Sequence, residues 1–334
     1  MNFSSRCQSL HRICSQHLHT TSITGPRLGV LGVKLSKGQS KSGVDNGPEV
    51  IRSTNFIKTL EKDIGNVKRY TVTDYGNIQA HYPEKDLIVK KIRNPHAIGD
   101  TCKQVSLKVQ DILQNGDPVF TLGGDHSVAI GTIHGHAQVQ PDMCLIWVDA
   151  HADINTATTT NSGSMHGMVN SFHLHELEPF KVDLPGFDWI KPSLRAKDIV
   201  YIGLRDVEPL ERLILEKYGI RVFAMHDVDR LGILEVTKRA LDVVNPRLAR
   251  PIHVSFDIDA YDSTVAPSTG TSGLLTGLDL VEVNTAIGSP LDQQKTLFAA
   301  NQTLLAFCGN NRAGNLPLDI KQELNNRLPP CVGN

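Results

Sequence analysis

Short, unbroken apolar runs recur along the chain and stop abruptly at polar residues. They lie near residues 28–33, 67–71, 119–122, 145–148, 199–202, 222–224, 252–256 and 278–283. Runs this short, bounded by turn residues and without strict alternation, read as strands buried on both faces. Segments with a helical period lie between most of them. Two are clear: residues 48–60, with Pro48 suited to a first turn, and 102–113, with Val105, Val109 and Ile112 on one face. Strands alternating with helices predict a single-domain α/β/α sandwich around a parallel sheet of about eight strands. No internal repeat interrupts the pattern, and loops such as Leu184-Pro185-Gly186-Phe187 read as connections within one domain.

Three of the apolar runs end in residues with the chemistry of metal ligands. Cys144-Leu145-Ile146-Trp147-Val148 leads into Asp149-Ala150-His151-Ala152-Asp153, whose three polar side chains are two apart and so share one face of an extended chain. Val254-Ser255-Phe256 leads into Asp257-Ile258-Asp259, again with carboxylates two apart. Thr121-Leu122 leads into Gly123-Gly124-Asp125-His126-Ser127, where the glycines let backbone approach closely. Taken singly, each has a plain reading as an acidic turn or a helix start capped by Asp125 or Ser127. Together they supply His126, Asp149, His151, Asp153, Asp257 and Asp259, beyond the carboxyl ends of strands where α/β sheets bind ligands. An oxygen-rich set with imidazole and no thiolate suits Mn²⁺ better than zinc. Six ligands are too many for one ion that must keep an open position, whereas two ions sharing carboxylates would use them all and hold a hydroxide. The expectation is a binuclear hydrolase.

Gly-Gly-Asp-His, Asp-Ala-His-Ala-Asp and Ser-Phe-Asp-Ile-Asp, in this order and at these separations, resemble the ureohydrolase family and, within it, the arginases. Gly43-Val44, Gly47-Pro48, Ile51-Arg52, Gly203-Leu204-Arg205-Asp206 and the stretch from Leu278 to Asn284 extend the resemblance. It implies one manganese held by His126, Asp149, Asp153 and Asp257, and a second by Asp149, His151, Asp257 and Asp259. Two Mn²⁺, four carboxylates and a hydroxide leave the cluster net negative, which favours a cation such as a guanidinium. Glu282 matches the family's glutamate that pairs with that cation. The implied reaction converts L-arginine to L-ornithine and urea by attack of the metal-bridging hydroxide, with Asp153 moving the proton and His166 shuttling it. Asn155 and Ser162 match residues that bind the substrate carboxylate, Glu208 and Glu211 those near its amine, and Thr271 one that lines the substrate. Glu208 stands where the family has an aspartate, which keeps the charge but moves it. The resemblance also implies a homo-oligomer, a trimer.

After Thr271 the chain departs from the family. Ser272-Gly273-Leu274-Leu275-Thr276-Gly277 runs straight into the strand of Glu282, omitting a turn and a helix. The 18 residues from Ala260 to Gly277 carry Pro267, Gly270, Gly273 and Gly277 and show no helical period, so no crossover helix is expected. One sheet face should then be exposed. Two alternatives follow: a weakly active or inactive isoform that associates with intact subunits, and an agmatinase-like enzyme.

Composition changes this picture only at the amino terminus. The 334 residues are 40% hydrophobic and 21% charged with a net charge of −1, which offers no basic field for nucleic acid, and no apolar run is long enough for membrane insertion. The six cysteines are scattered and fit idle thiols in a reducing compartment. Residues 1–44 carry Arg6, Arg12, Arg27, Lys34, Lys37 and Lys41 but no acid, with many hydroxyls. Leu10, Ile13 and Leu18 can share one helical face, so residues 1–22 resemble a mitochondrial transit peptide; a disordered cytoplasmic tail is the alternative. The expected arrangement is a leader at 1–22, an arginase-like domain at 23–334, and a home in the mitochondrial matrix.

Overall fold

A computed structural model describes residues 26–62, 69–261 and 275–309. The leader, Thr271, most of the shortened crossover and residues 67 and 68 of an expected strand therefore lie outside the described residues. The strands are β1 (Arg27–Lys34), β2 (Thr71–Gln79), the short pair β3 (Ile88–Val89) and β4 (Ile92–Arg93), β5 (Val119–Leu122), β6 (Cys144–Val148), β7 (Ile199–Leu204), β8 (Arg221–Ala224), β9 (Ile252–Asp257) and β10 (Leu275–Val281). The helices are α1 (Gly47–Ser53), α2 (Phe56–Leu60), α3 (Pro95–Gln114), α4 (Ala129–Val139), α5 (Val169–His173), α6 (Pro209–Lys217), α7 (Met225–Leu231), α8 (Ile233–Val244) and α9 (Pro290–Phe307).

Eight strands form one parallel sheet in the order β2-β1-β5-β10-β9-β6-β7-β8, and β3 pairs with β4 as a separate antiparallel hairpin. Helices cover both faces, as the alternation predicts. On one face Ile98, Cys102, Val105, Val109 and Ile112 of α3 and Ile130 and Ile133 of α4 pack on Leu31, Val119, Leu145 and Trp147. On the other, Ile51, Phe56, Val236, Ala300 and Leu304 join Phe120, Ile146, Val254, Phe256, Leu278 and Leu280. Leu278 and Leu280 are fully buried, so the bare sheet face expected at β10 is not found. Helix α9, which the apolar pattern did not single out, contributes Ala300, Leu304 and Leu305 to the cluster on that face.

Three boundaries differ from the sequence reading. The helix expected over 48–60 is two helices, because Ser53 and Thr54 hydroxyls bond back to Val50 and Ile51 carbonyls and Asn55 takes a left-handed φ of 59°. The helix expected at 102 begins at Pro95. The second strand runs over 71–79 rather than 67–71; it is a largely exposed edge with few apolar residues, so the pattern understated it.

The order of the sheet explains where a site can form. β5 and β6 are consecutive long strands, yet β10 and β9 lie between them. Loops leaving the carboxyl ends of these four central strands diverge and open a crevice.

Candidate metal centre

All six residues expected to bind metal gather in that crevice, because the inward-facing positions of β6 and β9 continue past the strand ends. On β6, Leu145 and Trp147 point to the α3–α4 side, and Asp149 follows at the next such position. On β9, Ser255 and Asp257 repeat the spacing, while Val254 and Phe256 point into the core on the other face. Gly123 and Gly124 thread the chain from β5 past its neighbours. A Cβ on Gly124 would lie 1.8 Å from the Leu35 carbonyl oxygen, so no other residue fits there.

His126 Nδ1 lies 3.1 Å from Asp149, 3.2 Å from Asp153 and 3.3 Å from Asp257, each measured to Oδ2. Its other nitrogen, Nε2, meets Ser255 Oγ at 2.9 Å, which fixes Nδ1 toward the carboxylates. The ring also stacks on the Trp147 indole, with centroids 4.1 Å apart and planes within 9°. The same indole donates to Asp149 Oδ2 at 3.1 Å. On the far side of Asp149, His151 Nδ1 stands 3.4 Å from its Oδ1 and 3.2 Å from Asp259 Oδ2. Two overlapping donor groups result, His126-Asp149-Asp153 and Asp149-His151-Asp259, sharing Asp149.

Backbone amides tie the acids down: His151 N donates to Asp149 and Asp259 N to Asp257, both at 2.8 Å. Asp153 and Glu282 each hold a left-handed backbone, φ 47° and 60°, which non-glycine residues adopt at a cost. Asn170 steadies the first by donating its backbone N to Asp153 O and its amide to Ala152 O. The second is steadied by Glu282 N donating to Gly124 O at 2.8 Å.

The electrostatics suit a cation. Asp149, Asp153 and Asp257 are buried within reach of one imidazole nitrogen that itself makes no well-formed hydrogen bond. Burial raises the carboxyls of Asp257 and Asp153, and repulsion adds to it, from Asp259 and Asp149 at Asp257 and from Asp149 at Asp153. Burial opposes a charge on Asp149 as well, but His126 and His151 overcome it and hold that carboxyl low. A buried ring of oxygens with too little positive charge fits divalent ions better than it fits the protein alone. The donor set, carboxylate with imidazole and no sulfur, is that of a hard to borderline metal.

The other expected residues surround this ring. Glu282 Oε1 accepts from His126 N at 3.1 Å and sits 3.3 Å from His166 Nδ1. Burial would lower His166, but Glu282 and Asp153 raise it to about 9. Asn155 is buried, with Oδ1 accepting from Thr159 at 2.8 Å. Ser162 Oγ accepts from Ser164 N at 3.1 Å. Glu208 caps α6 and accepts from Asn161 Nδ2 at 2.9 Å. Glu211 is buried with both oxygens taken by backbone amides, of Ile154 and of Glu208. Burial and Asp153 push it up to about 7. Glu211 therefore anchors the ligand loop to α6.

Sequence reasoning missed the supporting residues Trp147, Ser255 and Asp125. The first two had a legible signal, since each stands two positions before a ligand on the same strand face. Asp125 had none beyond its capping role; its carboxylate accepts from Gly38 N and Ser127 N.

A doubly wound parallel sheet that gathers aspartates and histidines beyond its central strands defines the class of metal-dependent hydrolases with an α/β fold. The chain belongs to the arginase family, whose model matches residues 26–308. It is 42% identical to human Arginase-1 over 314 residues, covering 87% of this chain and 96% of that protein. It is also 42% identical to human Arginase-2, mitochondrial, over 308 residues, covering 86% and 84%. Among solved structures, the arginase from Bacillus caldovelox matches with a TM-score of 0.72 at 27% identity, covering 87% of this chain and all of that one. A cold-adapted arginase from Glaciozyma antarctica matches at 0.65 and 34%, covering 88% and 98%. Among the described residues no helix is long and apolar enough to cross a membrane.

Proposed function

We propose that this chain hydrolyses L-arginine to L-ornithine and urea with two Mn²⁺ ions held by His126, Asp149, His151, Asp153, Asp257 and Asp259. The observation that carries the reading is the shared carboxylate of Asp149, placed between His126 on one side and His151 with Asp259 on the other. Paired divalent cations, when bound, supply Lewis acidity and a nucleophile from water at neutral pH.

The protein's own groups do the rest. Glu282, strained into position beside His126 N, receives the substrate guanidinium in a charge-assisted pair. Asp153, 3.2 Å from His126 in the ligand ring, is the group that would carry a proton toward the leaving amine. His166, half-exposed and paired with Glu282, is placed to exchange a proton with solvent. The Asn155 amide and the Ser162 hydroxyl have their acceptor sides engaged within the protein, which leaves donors for a substrate carboxylate. Glu208 takes the substrate amine. Thr271, which lies outside the described residues, is assigned to the substrate lining on the family resemblance alone. A trimer in the mitochondrial matrix, with residues 1–22 as its leader and 23–334 as one domain, accompanies this reading; membership of the arginase family and similarity to a mitochondrial arginase support it.

The test is urea release from L-arginine and from agmatine by the manganese-loaded full chain, with particle size measured on the same sample. Turnover of L-arginine alone is expected. Turnover of agmatine in its place indicates an agmatinase-like enzyme. No turnover by a well-loaded chain that co-assembles with an active arginase indicates the associating isoform.

A further inference from the structure

A substrate that carries a carboxylate meets an obstacle at this site, because Asp206, Glu208 and Glu282 add their carboxylates to those of the metal ligands. A substrate anion approaching Ser162 needs a compensating cation close by. The hairpin of β3 and β4 supplies one. Arg93, the last residue of β4, donates its backbone N to Gly163 O at 3.4 Å, and its Nη2 to Ser164 Oγ at 3.0 Å and Ser162 O at 3.5 Å. The loop lies directly against the hairpin: Gly163 has φ +70°, and a Cβ there would lie 2.0 Å from the Lys91 carbonyl oxygen. Ser164 is buried, so its hydroxyl accepts from the guanidinium in a shielded position, and its backbone N in turn donates to Ser162 Oγ.

This chain of bonds has a direction. Arg93 holds Ser164, Ser164 N occupies an acceptor lone pair of Ser162 Oγ, and the Ser162 proton is left to point at an incoming acceptor. Among the described residues, Arg205 donates to the carbonyls of Asp259 and Tyr261, and Lys37 stands 5.8 Å from the centre of the Tyr82 ring.

We infer that Arg93 is a specificity-determining positioning residue, which sets the Ser162–Ser164 loop and offsets the charge of an α-carboxylate, so that the site prefers L-arginine to its decarboxylated analogue. This deepens the proposed function and rests on it. Arg93 is exposed, so solvent screens its field and limits the effect to about tenfold.

The experiment compares the manganese-loaded full chain with Arg93→Ala, Arg93→Lys and Lys91→Ala, measuring kcat and KM for L-arginine and agmatine. Arg93→Ala is expected to raise KM for L-arginine about tenfold, with kcat within about twofold and agmatine kinetics unmoved. Arg93→Lys should recover part of the loss, and Lys91→Ala should behave as the parent. Equal changes for both substrates, or a loss confined to kcat, would overturn the inference. Calorimetric binding of L-ornithine and putrescine, which differ in the same carboxylate, keeps the two ideas apart. If the parent releases no urea, the proposed reaction fails, while a fall in the ornithine-to-putrescine affinity ratio in Arg93→Ala still supports Arg93. An unchanged ratio, or a parent without preference, overturns it.

Discussion

His173, the last residue of α5, ties stability to pH independently of catalysis. It is fully buried, and burial, with the nearby charges of His134 and His253, lowers it from 6.5 to about 3. In the unfolded chain it titrates normally. Above about pH 7.5 neither state binds the proton and the residue contributes no pH dependence. As pH falls through 6.5 the unfolded state takes up a proton that the folded state refuses, so stability drops by about 1.4 kcal/mol per pH unit until pH approaches the folded value. By about pH 5 the loss from this one group is about 2 kcal/mol, a figure that holds for any folded value below about 4. The perturbation is His173→Leu, with His173→Gln as a second variant so that a change in polarity is not mistaken for a change in titration. Denaturant midpoints are measured on chelated protein from about pH 7.5 to about pH 5, and only the difference in slope between parent and variants is read, which cancels every other titrating group to first order. Both variants should lose about 2 kcal/mol less than the parent over that range. Parallel curves would refute the reasoning, because they would mean His173 is protonated or solvated in the folded chain.

Asp149→Asn removes the carboxylate common to both donor groups, so it should abolish manganese retention after gel filtration while the circular dichroism stays native. Ser255→Ala leaves His126 without its orienting partner and should weaken metal binding about tenfold, read by competition with a chelator. Gly124→Ala drives a methyl into the Leu35 carbonyl and should cost at least about 3 kcal/mol, seen as a lowered denaturant midpoint or insoluble expression.

Much of the fold was legible because parallel strands buried on both faces are written as unbroken apolar runs: β5, β6, β7 and β9 lie within two residues of where the pattern places them. β2 was misplaced because an edge strand needs no apolar face, as its Thr71-Val72-Thr73-Asp74 start shows. The split between α1 and α2 was hidden because Asn55 reads as an ordinary polar helix position until its left-handed φ is seen. The metal ligands were the most legible part of the site, since their two-residue spacing is a property of extended backbone and needs no tertiary information. Arg93 was invisible for the opposite reason. Only the packing of a two-strand hairpin against the Ser162–Ser164 loop brings it there, across 71 residues of sequence to Ser164. The expectation of an uncovered sheet at β10 failed because it counted the missing crossover and overlooked α9, whose Leu304 and Leu305 join Leu278 and Leu280 in one cluster.

The most direct measurement is urea release from L-arginine by the purified full chain, titrated with Mn²⁺ after exhaustive chelation, with bound metal quantified in parallel. Activity is expected to be absent without metal and to rise to a plateau near two manganese ions per chain. A chain that holds two manganese ions yet releases no urea, or one whose activity does not depend on metal, would contradict it.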